Sequence, residues 1–150
     1  MIKKILGIIL LVVIATFIII RLIPREEDRV KRDINAFKDA VEREDRASVI
    51  HFINPEFTDN HGSSSEAIIG TIDNLFEQFD SISVAMSGLK VKIDSSTAST
   101  IFASCSLGLK VFARHQGDRI LLYGGVIKPA SVTAHLKKHN SRYLVYQAVY

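Results

Sequence analysis

An uninterrupted apolar run lies near the start of the sequence and limits what these residues can fold into. From Ile5 to Ile20 the sequence ILGIILLVVIATFIII carries no charged side chain, and Pro24 follows shortly after it. As a helix the run spans roughly 24 Å at 1.5 Å per residue, and about 29 Å if it continues to Ile23. Because a bilayer core is about 30 Å thick, the run predicts one transmembrane helix over residues 5–23.

A cleaved signal peptide is the alternative interpretation of this run. Lys3 and Lys4 would form its basic n-region, but no small-residue cleavage site follows the apolar stretch. We therefore expect a membrane anchor over residues 1–24 and one folded domain over residues 25–150. This domain is expected outside the cytoplasm of a bacterial cell, since long C-terminal domains cross a membrane largely regardless of charge. The basic cluster at residues 21–32 favours the opposite orientation.

Composition and charge exclude several classes of function. The net charge of +3 arises wholly from residues 1–24, so residues 25–150 hold equal numbers of acidic and basic side chains. Binding of nucleic acid requires a basic excess, which this domain lacks overall. The lone Cys105 excludes an intrachain disulfide framework and a multi-cysteine zinc site. The histidines follow no metal-ligand spacing, and we expect neither a metal nor another cofactor.

Helical periodicity dominates the first half of the domain. It predicts an amphipathic helix over residues 25–46, a short helix after Asp45 that residues 54–55 end, and a third helix that a capping box at residues 63–66 begins. The apolar residues of the first helix recur at spacings of four, three and four, and they are Val30, Ile34, Phe37 and Val41.

Apolar and polar residues alternate after Ser81, which predicts β-strands. The alternation changes phase at Ser87 and Gly88, as at a β-bulge. Residues 120–127 are apolar or glycine on both faces, which predicts a strand that is covered on both sides. Three helices before a long meander predict an α+β domain, with the helices packed in a strongly bent, mainly antiparallel sheet.

This order of elements resembles the NTF2-like, or cystatin-like, superfamily over residues 25–150. The end of the first helix, AVEREDRASVIHFI, carries the resemblance together with NPEFTDNHG, where the family commonly has an aspartate-bearing loop. The ending VTAHLKKHNSRYLVYQAVY resembles the closing hairpin of the family, with Tyr143 where a tryptophan is usual. The resemblance implies a cone-shaped fold, which hosts enzymes, carriers and adaptors alike.

The resemblance also implies where catalytic groups would lie. In the isomerase-type enzymes of the superfamily, a cavity carboxylate acts as the base, and a tyrosine or a protonated acid stabilises the oxyanion. Asp59 or Asn60 falls near the carboxylate position, whereas Phe37 falls where those enzymes place a tyrosine. Asp59 is thus the single catalytic candidate, and the alternative is a loop aspartate that makes local backbone bonds.

The missing catalytic pair favours a non-enzymatic, membrane-tethered NTF2-like module for protein association or for binding of a small apolar ligand. The alternative is a membrane-anchored hydrolase, isomerase or dehydratase that uses Asp59 and a donor such as Tyr146. The candidate cavity residues are Phe37, Val41, Asp59, Ile72, Phe76, Cys105 and Tyr146.

Charge is distributed unevenly along the domain, with a net of −7 over residues 25–80 and +7 over residues 81–150. The polar face of the sheet is either simply solvated or meets an acidic partner or anionic headgroups. Because residues 120–127 look apolar on both faces, we also expect a homodimer or an envelope protein partner on the sheet surface. The basic and aromatic residues of the polar face are Lys90, Lys92, Phe102, Lys110, Phe112, Arg114 and Lys128.

Overall fold

The computed structural model describes residues 10–16, 25–97 and 99–150. Residues 10–16 are helical and form α1. The described chain after residue 25 is an α+β structure in which further helices pack on one curved, six-stranded sheet. Its elements are α2 (Glu26–Glu42), α3 (Arg46–Ile50), β1 (Ile53–Asp59), α4 (Ser65–Gln78), β2 (Ser81–Ser96), β3 (Ile101–His115), β4 (Asp118–Tyr123), β5 (Ala130–His139) and β6 (Arg142–Val149).

The predicted transmembrane helix is contradicted. Among the residues that the structure describes, no helix is both long and apolar enough to cross a membrane. The rest of the run, residues 5–9 and 17–23, lies outside the described residues. The fold prediction is wrong in its transmembrane part, and the same finding contradicts the expected cell-membrane location.

Local signals explain where the helices begin and end. Three acidic residues occupy the first turn of α2, where they stabilise the positive end of the helix dipole. The helix ends at Glu42, four residues before the predicted end, because Glu44 adopts a left-handed conformation with φ of 56°. Asp45 then caps α3 by accepting a hydrogen bond of 3.1 Å from the Ser48 amide.

The third predicted helix, α4, begins one residue later than the capping box requires. Ser64 is its N-cap and accepts a hydrogen bond of 3.4 Å from the Ala67 amide. Glu66 is therefore the second residue of the helix, whereas a capping box needs the glutamate at the third. A serine does cap the helix, but it is Ser64 and not Ser63, so the predicted capping box is not formed.

The order of the main sheet is β1-β6-β5-β3-β2, and β4 pairs with the distal half of β3. All neighbours are antiparallel except β1 and β6, which are parallel. The sequence predicted no strand at β1, because Pro55 interrupts the apolar pattern. In the structure the Asn54 side chain accepts the Glu56 amide at 2.8 Å, as in a turn. Pairing with a strand far along the chain overrides this local signal.

Two glycines shape the sheet. The predicted β-bulge is confirmed, because the β2–β3 register shifts between Ser87 and Lys90, with Gly88 at φ of 62°. The predicted strand over residues 120–127 is too long. The strand β4 ends at Tyr123, Gly124 has φ of 88°, and a turn follows in which Val126 and Ile127 are 86% and 90% exposed. Association through the sheet stays a prediction.

The core consists of two clusters of buried side chains on the concave side of the sheet. In the first, Val30 and Ile34 of α2 pack against Cys105, Leu136 and Tyr143 of the sheet. The second joins the end of α2, α3 and β1, and it comprises Ala40, Val49, Ile53 and Phe57. Members of both clusters line a single internal cavity.

Candidate functional site

The cavity between the helices and the concave face of the sheet has a volume of about 340 Å³. Ligand pockets in proteins commonly range from about 300 to 1,000 Å³, so this one admits a small molecule. Aliphatic and aromatic side chains form almost the entire wall. They include Phe37, Val41, Ile72, Leu107, Ala134 and Ala148.

Three residues of the cavity wall carry a titratable group, namely Lys38, Cys105 and Tyr150. The Lys38 ammonium lies 2.5 Å from Glu42, and the hydrogen bond to Glu42 holds the pKa of Lys38 above its usual range. Burial raises the pKa of the Cys105 thiol to about 11. Since the thiolate is the reactive form, Cys105 is inert at neutral pH and packs as a small apolar side chain.

The third group, Tyr150, is held in place by the loop that follows β1. Its hydroxyl donates a hydrogen bond of 2.5 Å to Asp59 Oδ2. Its amide donates to Asn60 Oδ1 at 3.3 Å, and the Asn60 side-chain amide donates back to the Tyr150 carbonyl at 3.2 Å. The rings of His61 and Tyr123 lie 5.4 and 6.2 Å from the Tyr150 ring. These contacts fix the tyrosine against the cavity.

Asp59 is buried behind Tyr150 and does not line the cavity. Besides the Tyr150 hydroxyl, its carboxylate accepts the amides of His61 at 2.9 Å and Ser63 at 2.7 Å. The hydrogen bond from Tyr150 holds the pKa of Asp59 well below its ordinary value, burial opposes this, and the amides of Ser63 and His61 reinforce it. Asp59 is therefore a stable anion with its acceptor positions occupied.

Tyr150 shows the matching effect. The hydrogen bond to Asp59 raises the pKa of Tyr150 to about 12, and burial adds to the shift. A general base works best with a pKa near the working pH, and an oxyanion donor needs a free hydroxyl proton. The Tyr150 hydroxyl donates to Asp59, so this hydrogen bond engages both groups and holds the tyrosine at the cavity wall.

The structure brings together four of the seven predicted cavity residues. Phe37, Val41, Ile72 and Cys105 line the cavity. Asp59 lies behind it, and Phe76 packs on the second core cluster without lining the cavity. Tyr146 lies on the other face of the sheet, where its ring is 5.9 Å from Phe102 and 6.2 Å from His135. Contact of any of them with a ligand stays a prediction.

A β-bulge explains why Tyr146 is outside and Tyr150 inside. Regular alternation places these two residues on the same face as Ala148. In the structure Leu136 pairs with Val145 and His135 pairs with Gln147, so Tyr146 is an extra residue that reverses the alternation. Nothing in the local sequence signals this bulge, which places Tyr146 on the outer face, and no sequence pattern singled out Tyr150.

The described part of the chain contains no candidate metal site. Residues 10–16, 25–97 and 99–150 hold no group of three or more histidine, cysteine, aspartate or glutamate side chains with the geometry of a metal site. What the cavity offers chemically is an apolar enclosure with one fixed tyrosine at its wall. A ligand in such a cavity would be held by burial of apolar surface.

Comparison with known proteins identifies the fold. No protein-family model matches the sequence, and no curated protein matches it. Among solved structures, a provisionally assigned scytalone dehydratase from Novosphingobium aromaticivorans has a TM-score of 0.67 at 14% identity, covering 83% of this chain and 81% of that one. A provisionally assigned dehydratase of the NTF2-like family from Streptomyces avermitilis has a TM-score of 0.61 at 13% identity, covering 83% and 93%.

A third similar structure is a protein of unknown function with a cystatin-like fold from Nostoc punctiforme, with a TM-score of 0.57 at 13% identity, covering 81% of this chain and 86% of that one. The resemblance to the NTF2-like, cystatin-like fold is thereby confirmed. At these identities the similarity establishes the fold alone, and function has to be argued from the site.

Proposed function

We propose that this chain is a non-catalytic NTF2-like module that binds a small apolar molecule in its internal cavity. The observation that carries the proposal is the chemistry of the wall. The cavity holds about 340 Å³, and each of its titratable groups is either paired or kept neutral. Burial of an apolar ligand contributes about 25 cal/mol per Å² of apolar surface removed from water, without any polar contact.

The alternative is an enzyme of the hydrolase, isomerase or dehydratase type that uses Asp59. Two similar structures are of provisionally assigned dehydratases. That assignment concerns those two proteins and is not evidence of activity in this chain. In this chain the hydrogen bonds to Asp59 argue against the alternative, because they occupy the carboxylate that would act as the base. We therefore favour binding without catalysis.

Binding of the neutral fluorescent dye N-phenyl-1-naphthylamine tests the proposal. We expect saturable binding to the full chain, with a blue-shifted emission that reports an apolar site. Ala134→Leu adds three carbon atoms at the cavity wall and is expected to weaken binding about tenfold or more. Thr133→Leu is the matched control, since the same side chain is introduced at the adjacent position of β5, which alternates to the opposite face of the sheet.

Asp59→Asn tests whether the buried carboxylate takes part in binding. The binding proposal expects the variant to retain most of its affinity for the dye, because Asp59 does not line the cavity. If Ala134→Leu and Thr133→Leu bind the dye equally well, the dye occupies another place and the proposal fails. Circular dichroism of each variant excludes loss of fold as the cause of weaker binding.

A further inference from the structure

The convex face of the sheet carries a second depression, whose lining residues are different in kind from those of the apolar cavity. It is a shallow cleft of about 190 Å³ where β2, β3 and β4 lie side by side. Two arginines, two serines and an aromatic ring contribute to its wall. The residues that line it are Ser81, Ser83, Phe112, Ala113, Arg114 and Arg119.

Strand register explains why these side chains meet. Arg114 of β3 is paired with Arg119 of β4 on one side and with Ser81 of β2 on the other. Ser83 pairs with Phe112, two residues before Arg114 and therefore on the same face. Two rows of outward side chains thus run across three strands, and the cleft lies between them.

The arrangement of the two arginines is unfavourable for the protein alone. Like charges directly opposite each other on neighbouring strands destabilise a sheet. None of the ion pairs formed by the described residues involves Arg114 or Arg119. The nearby carboxylate of Asp80 accepts the Gln116 amide at 2.9 Å instead. An anion between the guanidinium groups would remove this repulsion.

The Arg119 guanidinium is also held in place. Its Cζ atom lies 3.9 Å from the centroid of the Phe112 ring. A cation–π contact of this kind uses the face of the guanidinium and leaves the N–H groups at its edge free to donate. The surroundings add to the attraction, since residues 81–150 carry a net charge of +7.

From this geometry we propose that the cleft is a binding site for a phosphoryl group. Two arginines supply paired N–H donors that match phosphate oxygens, and this fork geometry favours phosphate over a spherical anion. The Ser81 and Ser83 hydroxyls provide further donors on the same wall. The ligand is free phosphate or a small phosphate ester, bound independently of the apolar cavity.

The test is a titration of the full chain at low ionic strength, observed by NMR of the arginine side-chain Nε–Hε groups. Inorganic phosphate probes the oxyanion alone, phenyl phosphate probes an ester, and chloride at matched ionic strength probes screening. We expect saturable shifts of Arg114 and Arg119 with both phosphates and not with chloride. Tighter binding of phenyl phosphate would identify an ester as the ligand, and equal binding would identify free phosphate.

Variants locate the site. Arg119→Gln is expected to weaken phosphate binding about tenfold, the effect of one lost charge-assisted pair. Arg142→Gln is the matched control, because it removes the same charge from another arginine whose Cζ lies over an aromatic ring, at 5.9 Å from Phe52. If both variants weaken binding equally, or if chloride shifts the same resonances, only the general field attracts anions and the proposal is overturned.

Thermal unfolding gives an independent readout. In chloride, Arg114→Gln is expected to unfold at a higher temperature than the wild type, because it removes the repulsion. In phosphate the order is expected to reverse, because the wild type binds phosphate more tightly and is stabilised more by it. A variant that is less stable than the wild type in chloride would show that Arg114 and Arg119 do not repel each other, and the proposal would lose its basis.

Discussion

Two tyrosines at opposite ends of β6 donate their hydroxyls to carboxylates in very different surroundings. Near the start of the strand, Tyr143 donates to Glu26 Oε2 at 2.7 Å and is 1% exposed. Directly after the strand, Tyr150 donates to Asp59 Oδ2 at 2.5 Å and is 44% exposed. The same chemical pair thus occurs once inside the core and once at the wall of the cavity.

The partners of the two carboxylates differ as well. Lys138 donates to both oxygens of Glu26, at 2.9 and 3.0 Å, so a cation completes that site. Burial raises the pKa of Glu26, but hydrogen bonds from Tyr143 and Lys138 outweigh it and hold the pKa below its usual range. Asp59 has backbone amides in place of a cation.

This difference separates a structural pair from a positioning pair. The contact between Tyr143 and Glu26 joins the first turn of α2 to the β5–β6 hairpin, which Asp33 reinforces by accepting the Tyr143 amide at 2.9 Å. The contact between Tyr150 and Asp59 fixes a half-exposed ring beside the cavity. Loss of the first is expected to affect the whole fold, and loss of the second mainly the site.

The largest effect is expected from Tyr143→Ala. Removing a fully buried aromatic side chain leaves a void beside Val30 and Leu136, and such truncations cost about 3–5 kcal/mol in free energy of unfolding. Urea denaturation measures the loss. Tyr146→Ala is the control, because Tyr146 is a half-buried tyrosine on the outer face. Equal losses in both variants would contradict the structural role assigned to Tyr143.

A smaller effect, confined to acid, is expected for Asp59→Asn. The pKa of Asp59 lies below its ordinary value of 3.8, so its contribution to stability is present above pH 3.8 and is lost as the pH falls toward the folded-state pKa. We expect the variant to be less stable than the wild type at pH 7. The difference should narrow progressively below about pH 4.

The response to salt distinguishes the pair of Tyr143 and Glu26 from the pair of Tyr150 and Asp59. Glu26→Gln removes a carboxylate that a lysine holds, so its effect on stability should decrease as added salt screens the ion pair. The effect of Asp59→Asn should change much less, because its partners are amides and a hydroxyl. Urea denaturation at pH 7 measures both effects. It is done with and without about 0.5 M sodium chloride, at which the Debye length is only a few ångströms. The same salt dependence in both variants would remove the distinction between the pairs.

Local signals explain which parts of the fold the sequence predicted. The amphipathic face of α2, the Asp45 cap and the bulge at Gly88 are all encoded within a few residues. The strand β1 is not, because its pairing partner Val145 lies far along the chain and Pro55 interrupts its pattern. The strand predicted over residues 120–127 was too long, because the apolar residues of the exposed turn after Tyr123 have the same pattern as a buried strand.

The same distinction applies to the candidate site. Helical spacing identified Phe37, Val41 and Ile72, and strand alternation identified Cys105, all of which line the cavity. Tyr146 was named as a possible donor without a position fixed by alternation, and the bulge in β6 places it on the face opposite Tyr150. The hydrogen bond between Asp59 and Tyr150 depends on where two distant segments meet, which no local pattern records.

The smallest effect is expected in the titration of Tyr150 itself. Its hydrogen bond to Asp59 raises its pKa to about 12, so Asp59→Asn should lower the pKa toward the ordinary value of 10.0. NMR of Cζ-labelled tyrosine follows this change directly. The titration runs from pH 8 to about 12.5, a range that spans the ordinary tyrosine pKa. The variant Tyr150→Phe assigns the resonance. Tyr143 is the internal comparison, because burial and Glu26 keep its pKa raised in both proteins. An unchanged Tyr150 titration in Asp59→Asn would mean that burial, and not the carboxylate, controls this tyrosine, and the positioning role of Asp59 would be wrong.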